Sequence, residues 1–139
     1  MSDSRNVQVV KDAYAAFQRG DINAVLALVD SEVDWHAIKG AEGVAPHAGA
    51  RHGRAAVAEF FAQLGASTEF TRFEPREFVA QGDQVVAIGE YAAKVTTTGR
   101  SIASDWVMVF TVRDGKVVRF REWTDSAQVV RAYGTSAAV

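Results

Sequence analysis

The sequence predicts an α+β fold in which three N-terminal helices and one short C-terminal helix pack against a twisted antiparallel sheet. Apolar residues recur at steps of three and four in the first half, which is the period of amphipathic helices. The second half contains segments typical of β-strands, separated by the dipeptides Gly82-Asp83, Thr98-Gly99 and Asp114-Gly115, which favour turns. At 139 residues the chain can bury a core without metal or disulfide support, so we expect one domain over residues 1–139.

Three stretches of the N-terminal half have the apolar period of a helix. Gly20 is placed to end the first helix, Asp21 to cap the second, and Gly65 to end the third. The third helix is expected to open at His52 or Gly53. The apolar stripes are, in turn, Val7, Val10, Tyr14 and Phe17; Ile22, Val25, Leu26 and Val29; and Val57, Phe60, Phe61 and Leu64.

Five strands are expected around these helices. The first covers residues 33–38, and a loop rich in Gly, Ala and His follows it over residues 39–52. Pro75 removes a backbone donor, so the second strand is expected at an edge or with a bulge. Asp125 is expected to cap a final short helix that runs through Tyr133. The remaining strands are predicted at 68–80, 84–97, 101–112 and 116–124.

The central strands predict a second buried face of the sheet. A sheet face in contact with water alternates apolar with polar residues, whereas residues 84–97 and 101–112 carry apolar side chains on both faces. The three helices can cover only one of these faces. We therefore expect the other face to pack against a second copy in a symmetric homodimer. The alternative is that the C-terminal helix or the 39–52 loop covers it.

Composition limits the classes of function. The chain has no cysteine, which excludes disulfides, thiolate metal sites and a cysteine nucleophile. Its net charge of -2 gives no electrostatic basis for nucleic-acid binding. No apolar run is long enough to span a membrane and the N-terminus has no secretory-signal pattern, so we expect a cytoplasmic protein. Phosphate-binding, dinucleotide-binding and common hydrolase motifs are also missing, and we expect neither a cofactor nor a metal.

Glu122 is the sharpest candidate for chemistry. It shares a strand face with Val118, Phe120 and Thr124, so a carboxylate stands in a largely apolar row. A carboxyl group in such a row is held with a raised pKa, as a general acid or base requires, or it is paired or solvated. The alternative to a catalytic role is therefore a salt bridge, for example to Arg72, or a place at the wet rim.

The histidines and two aspartates are weaker candidates. His36, His47 and His52 are separated by 11 and 5 residues, which matches no metal-ligand pattern. His47 lies in a loop that could border the mouth of a pocket. Asp34 and Asp105 could pair as catalytic carboxylates, but Asp105 falls on the predicted dimer face, where a hydrogen-bonding or ion-pairing role is simpler.

The number of bulky rings points to an apolar cavity. Tryptophan and tyrosine add polar tips to apolar rings, which favours a pocket, although the same rings would also fill a plain core. The residues expected to contact a substrate are Phe17, Trp35, Phe60, Phe61, Tyr91, Trp106, Met108 and Thr124.

Four segments resemble SnoaL-like polypeptides. They are Gly20-Asp21-Ile22, V-D-W-H at 33–36, G-R-A-A-V-A-E-F at 53–60 and V-F-T-V-R-D-G-K-V-V-R-F-R-E-W-T-D at 109–125. SnoaL-like proteins belong to the superfamily of nuclear transport factor two, ketosteroid isomerase, limonene-epoxide hydrolase and polyketide cyclases. The resemblance extends from Val7 to Tyr133. It implies a cone-shaped fold whose strongly curved sheet holds the helices and a cavity on its concave face.

Most catalytic positions of these relatives carry other residues here. The general-base Asp, the oxyanion-hole Tyr and the protonated Asp of ketosteroid isomerases match Ala37, Ala13 and Trp106, so the resemblance argues against steroid isomerisation. The base Asp of limonene-epoxide hydrolases matches Glu122, which keeps a carboxylate. The Tyr, Asn, Arg and second Asp of that site match Trp35, Ala37, Gly89 and Tyr91.

Two functions remain open on this evidence. Polyketide cyclases of this type use one acidic residue near the end of the sheet, which Glu122 or Asp125 could supply, although Asp125 also suits a helix cap. The first function is therefore an enzyme that acts without a cofactor on a small, largely apolar, cyclic or aromatic molecule by cyclisation, isomerisation or hydration. The second is a non-catalytic ligand-binding or dimerisation module.

Overall fold

A computed structural model describes residues 2–134 of the chain. Within this range six strands form one sheet in the order β2-β1-β6-β5-β4-β3. Neighbouring strands are antiparallel except β1 and β6, which run parallel, so the sheet is mixed and not purely antiparallel. The elements are α1 (Ser2–Gln18), α2 (Ile22–Ala27), β1 (Val29–Ala37), β2 (Gly49–His52), α3 (Arg54–Ser67), β3 (Thr68–Gln81), β4 (Gln84–Val95), β5 (Ser101–Arg113), β6 (Lys116–Thr124) and α4 (Ser126–Tyr133).

Two parts of the N-terminal half differ from the prediction. Val29 belongs to β1 and not to the second helix, because the chain joins β6 there: the amide of Val117 donates to the carbonyl of Leu28. The predicted 39–52 loop ends in β2, which pairs with β1 from Asp34 to Ala37. β2 has only four residues and no buried one, so apolar alternation could not reveal it.

The turn and cap residues behave as predicted, with one exception. Gly20 has a φ of 77° after α1, and the side chain of Asp21 accepts a hydrogen bond from the amide of Ala24 at 3.1 Å. Asp114 and Gly115 have φ values of 51° and 78°, as a tight hairpin turn requires. Gly65 does not end the third helix, because α3 continues to Ser67 and passes directly into β3.

Side chains of β4, β5 and β6 alternate between two faces of the sheet. A register shift between Thr111 and Val112 places Val112 opposite Val117, so that Val117 is buried in place of Val118. The inner face, towards the helices, carries Val85, Ala87, Gly89, Tyr91, Trp106, Met108, Phe110, Phe120 and Glu122, and the outer face carries Val86, Ile88, Glu90, Asp105, Val107, Val109, Arg119, Arg121 and Trp123.

All four helices of the described range lie on the inner side of the sheet. Each contributes a side chain to one cavity against the inner face, for example Tyr14 of α1, Val25 of α2, Phe60 of α3 and Val129 of α4. β3, with Pro75 and two register shifts, forms an edge of the sheet as predicted. None of the helices in residues 2–134 has the length and apolar character needed to cross a membrane.

Gly89 is expected to be indispensable for packing between β4 and its neighbours. A Cβ atom there would overlap the carbonyl oxygen of Glu74 and would lie 2.8 Å from Cε2 of the Trp106 indole. Gly89→Ala should lower the free energy of unfolding by about 2 to 3 kcal/mol, as measured by urea denaturation. Gly65→Ala is the matched control: this helical position has open space, so the substitution should stabilise by about 0.5 to 1 kcal/mol. Equal effects of the two substitutions would contradict this packing.

Candidate functional site

One cavity lies between the inner face and the helices. Its volume is about 100 Å³, which is several times the space that one water molecule needs. All of the predicted site residues except Thr124 line it, namely Phe17, Trp35, Phe60, Phe61, Tyr91, Trp106, Met108 and Glu122.

Aromatic rings form most of the cavity wall. Trp35 stacks on Phe120 with ring centres 4.0 Å apart, and Trp106 stacks on Phe73 at 5.2 Å. Tyr14 packs against the second pair, 5.9 Å from the Phe73 ring and 5.5 Å from the Trp106 ring. The walls therefore present ring faces and edges to whatever occupies the cavity.

The Glu122 side chain is the acidic group of this cavity. It projects from β6, with Met108 of β5 directly opposite. Arg72, which the sequence offered as an ion-pair partner, instead pairs with Glu90 of the outer face at 3.0 Å. The Glu122 side chain is partly buried and lines the cavity. This burial raises the pKa of Glu122 from its ordinary value to about 7.

Two tyrosine hydroxyls accompany Glu122. Tyr14 donates a hydrogen bond to Sδ of Met108 at 3.0 Å. Burial, with a smaller effect of the Glu122 charge, raises the pKa of Tyr14 well above its ordinary range. Burial also raises the pKa of Tyr91, against the opposing effect of a hydrogen bond with Thr124, and Glu122 adds to the rise. Both hydroxyls therefore stay protonated at neutral pH and can donate hydrogen bonds.

Thr124 lies beside the cavity and not in its wall. Its hydroxyl donates to the carbonyl oxygen of Asp105 at 2.7 Å and lies 3.1 Å from Oγ of Ser104.

His47 is the histidine that enters the cavity wall. It is 3% exposed, and its Nδ1 has no hydrogen-bond partner. Burial, with a smaller effect of Arg51, lowers the pKa of His47 to about 4, so the ring is neutral at pH 7. By contrast, Nε2 of His36 lies 2.7 Å from Glu42, and His52 lies beside Glu32 at the surface.

The remaining acidic candidates do not reach the cavity. Asp34 forms an ion pair with Arg121 at 2.9 Å, and this pair lowers the pKa of Asp34. Asp105 is exposed on the outer face. Asp125 caps α4 by accepting from the amide of Gln128 at 3.2 Å. Among residues 2–134, no group of three or more His, Asp and Glu side chains is arranged to hold a metal ion.

Several lining residues were not assigned to the site from the sequence. Tyr14 was identified only as part of an apolar helix stripe, which does not distinguish a core from a cavity. The register shift between Phe70 and Arg72 brings Phe70 and Phe73, three positions apart, to the same cavity, and simple alternation would separate them. Tyr133, at the end of α4, also lines it.

Glu122 is expected to make stability depend on pH. Because its folded pKa is about 7 against an ordinary 4.5, the folded state binds extra protons between these values. The contribution of Glu122 to the free energy of unfolding should therefore fall by about 3 kcal/mol as the pH rises through this window. His47 has the opposite effect, because its lowered pKa makes its contribution rise between about pH 4 and its ordinary value of 6.5.

The comparison of wild type with Glu122→Gln isolates the effect of Glu122 on the pH dependence of stability. Urea denaturation between pH 4.5 and 8 should show the variant gaining about 3 kcal/mol relative to wild type as the pH rises. The control, His47→Gln, should lose stability relative to wild type over the lower part of this range. A wild-type-minus-variant difference that does not change with pH would show that the Glu122 carboxyl is not desolvated.

Solved structures with the same fold confirm the predicted α+β cone. A nuclear transport factor two-like (NTF2-like) protein from Burkholderia xenovorans LB400 is 38% identical, with 96% of this chain and 99% of that chain covered and a TM-score of 0.85. An NTF2-like protein of unknown function from Burkholderia pseudomallei K96243 is 29% identical, with 94% and 98% covered and a TM-score of 0.85. TerC, co-crystallised with polyporic acid, is 28% identical, with 94% and 99% covered and a TM-score of 0.80.

Sequence comparisons identify the family. A search of curated proteins found no match. The profile of the SnoaL-like domain, however, matches residues 10–120, which extend from α1 into β6 and include most of the cavity wall. The chain therefore belongs to the SnoaL-like domain family, as the sequence resemblance predicted.

Proposed function

We propose that the cavity binds a small, largely apolar, cyclic or aromatic molecule and that Glu122 transfers a proton to or from it. The observation that carries this proposal is the placement of the Glu122 carboxyl in an aromatic cavity that Tyr14 and Tyr91 also line. A carboxyl group in such surroundings has a polar ligand group as its natural partner.

The wall supports an apolar and flat ligand. Phe17 lies 6.0 Å from Phe61 and 5.2 Å from Phe73, measured between ring centres, so rings meet a bound molecule from several directions. The residues that we assign to ligand contact are Phe17, Trp35, Phe60, Phe61, Tyr91, Trp106 and Met108. Thr124 lies outside the cavity wall and is not assigned to ligand contact.

The chemistry follows from the two protonation states of Glu122. With a pKa of about 7, the carboxyl is present at neutral pH both as a base and as an acid. As a base, the carboxylate takes a proton from a carbon next to a carbonyl group, and the bonding electrons move onto the carbonyl oxygen. The hydroxyl of Tyr91 can donate to that oxygen, and so can that of Tyr14 once it turns away from Sδ of Met108, which is a weak acceptor. Return of the proton from Glu122 to another carbon completes an isomerisation. In a cyclisation the enolate carbon attacks a second carbonyl carbon, and the alkoxide formed there takes the proton back from Glu122.

TerC offers a comparison for ligand binding. That protein, 28% identical to this chain, was co-crystallised with polyporic acid. A small-molecule ligand is therefore consistent with this type of cavity.

The second candidate function is a binding module without catalysis. It is favoured by Ala13 and Ala37, which replace functional side chains of related enzymes with methyl groups. The two functions differ in one respect that can be measured: only the enzyme loses turnover, and not ligand affinity, when Glu122 becomes neutral.

Hydrogen exchange on a carbon acid tests proton transfer directly. The probe is 2-tetralone, an aromatic cyclic ketone whose C–H bonds next to the carbonyl exchange with D2O, followed by proton NMR. Wild type should accelerate exchange about 100-fold over Glu122→Gln, with the rate rising through pH 7 as the carboxylate forms. Binding of 2-tetralone should be similar in both proteins, because the variant keeps the shape of the side chain.

The matched control is Glu90→Gln, which removes a carboxylate of the outer face that is paired with Arg72 and Arg76. This variant should exchange 2-tetralone as fast as wild type. Equal exchange by wild type and Glu122→Gln, with the ketone bound by both, would favour the binding module. Failure of wild type to bind 2-tetralone at all would count against the proposed class of ligand.

We also propose that the outer face forms a homodimer. All four helices of residues 2–134 lie on the inner side, so they leave the centre of the outer face uncovered. Ile88, Val107 and Trp123 are neighbours across three strands there, and Trp123 is 42% exposed. An uncovered apolar sheet face of this kind is typical of a contact between identical subunits.

Val107→Glu should break this contact, because it buries a charge at the centre of the apolar row. Sedimentation velocity at micromolar concentration should give twice the 15.0 kDa chain mass for wild type and the single chain mass for the variant. Val44→Glu, at an exposed loop position, is the control and should remain dimeric. A monomeric wild type would contradict the proposal.

A further inference from the structure

Polar atoms without partners collect around the ring of Phe60. Among the buried side-chain atoms that the structure describes, those lacking a hydrogen-bond partner include Nε1 of Trp35, Nδ1 of His47 and Nε of Arg51. The rings of Trp35 and His47 lie 5.4 and 5.9 Å from the Phe60 ring centre, and the guanidinium carbon of Arg51 lies 5.9 Å from it. Two strands and a loop thus bring unpaired nitrogens to one part of the molecule.

The Arg51 guanidinium brings a positive charge to this place. Its nitrogens donate to neutral oxygens, the side-chain oxygen of Gln63 at 2.7 Å and the carbonyls of Pro46 and Ala56 at 3.3 and 3.5 Å. Partners of this kind satisfy hydrogen bonds but do not neutralise a charge. The field of the guanidinium therefore acts on the groups next to it.

His47 lies in the cavity wall and is close enough to this charge to be affected by it. The ring lines the cavity, packs 5.5 Å from the Tyr133 ring, and feels the Arg51 charge as a repulsion against its own protonation. A neutral imidazole offers one N–H donor and one acceptor nitrogen. A negatively charged oxygen in the cavity would take the donor and would also be attracted by Arg51.

We propose that the His47 end of the cavity binds an anionic oxygen of the ligand, which is therefore an aromatic or alicyclic acid. His47 donates the hydrogen bond, and Arg51 supplies the charge from behind it. The Glu122 carboxylate repels a second carboxylate, so the acid group lies at His47 and the rest of the ring system points to Glu122. This inference rests on the proposed binding of an apolar molecule in the cavity, and it does not depend on proton transfer by Glu122.

Two probes of the same shape test the preference for a charge. Naphthalene-2-carboxylate and naphthalene-2-carboxamide differ in charge and scarcely in size. Titration calorimetry at pH 6 should show wild type binding the carboxylate about tenfold more tightly than the carboxamide. Arg51→Gln and His47→Leu should remove this difference by weakening the carboxylate alone. An unchanged affinity for the carboxamide shows in the same experiment that the cavity is intact.

Two further variants separate charge and hydrogen bonding from general damage. Arg113→Gln removes one positive charge at the surface, where Arg113 pairs with Asp83, and should keep the full preference. Arg51→Lys keeps the charge and should retain most of the preference for the carboxylate. This result is expected even if Arg51→Gln weakens the binding of both probes.

Equal affinity of wild type for the two probes would overturn the inference and leave the apolar cavity in place. A preference that survives both Arg51→Gln and His47→Leu would also overturn it. Failure of wild type to bind either probe would overturn both this inference and the proposed ligand class. Loss of 2-tetralone exchange has no bearing on the carboxylate preference, so the two proposals fail independently.

Discussion

The register of β6 between its two neighbours determines which side chains enter the cavity. Because residues alternate between faces, a slip of one position would turn Glu122 outward and bring Arg121 and Trp123 inward. Phe120 fixes the register from both sides. It lies opposite Trp35 of β1 and Phe110 of β5, with ring centres 4.0 and 5.2 Å away. The same aromatic packing that desolvates the carboxyl therefore also holds it in place.

Burial shifts the pKa values of Glu122 and His47 in opposite directions, but for one reason. It disfavours the charged form of each, raising the pKa of Glu122 and lowering that of His47. Below the pKa of Glu122 the cavity consequently carries little charge of its own, which suits an apolar ligand. Ionisable groups that are buried at a cost in stability are characteristic of functional sites.

The features of the fold that depend on local sequence patterns could be predicted from the sequence. The inward position of Glu122 follows from strand alternation, and Asp21, Asp114-Gly115 and Asp125 mark their caps and turn through backbone chemistry that acts over a few residues. Register shifts are not local: those in β3 and β6 move Phe73 and Val117 away from their expected faces. The cluster around Phe60 is still less visible, because Trp35, His47 and Arg51 come together only through tertiary packing.

Trp106 and Gly89 show why the chemistry of related enzymes does not carry over position by position. They lie directly opposite each other on β5 and β4, and the indole occupies the space that a Cβ atom at Gly89 would need. A large residue at 106 is therefore compatible only with glycine at 89. An Arg at 89, which the resemblance to limonene-epoxide hydrolases implies for those enzymes, would require a smaller residue at 106 and a shift of the Glu74 carbonyl. The sizes of the side chains at 89 and 106 therefore depend on each other. In this chain an aromatic wall occupies the place of the polar groups, and Glu122 is the acidic group that remains inside the cavity.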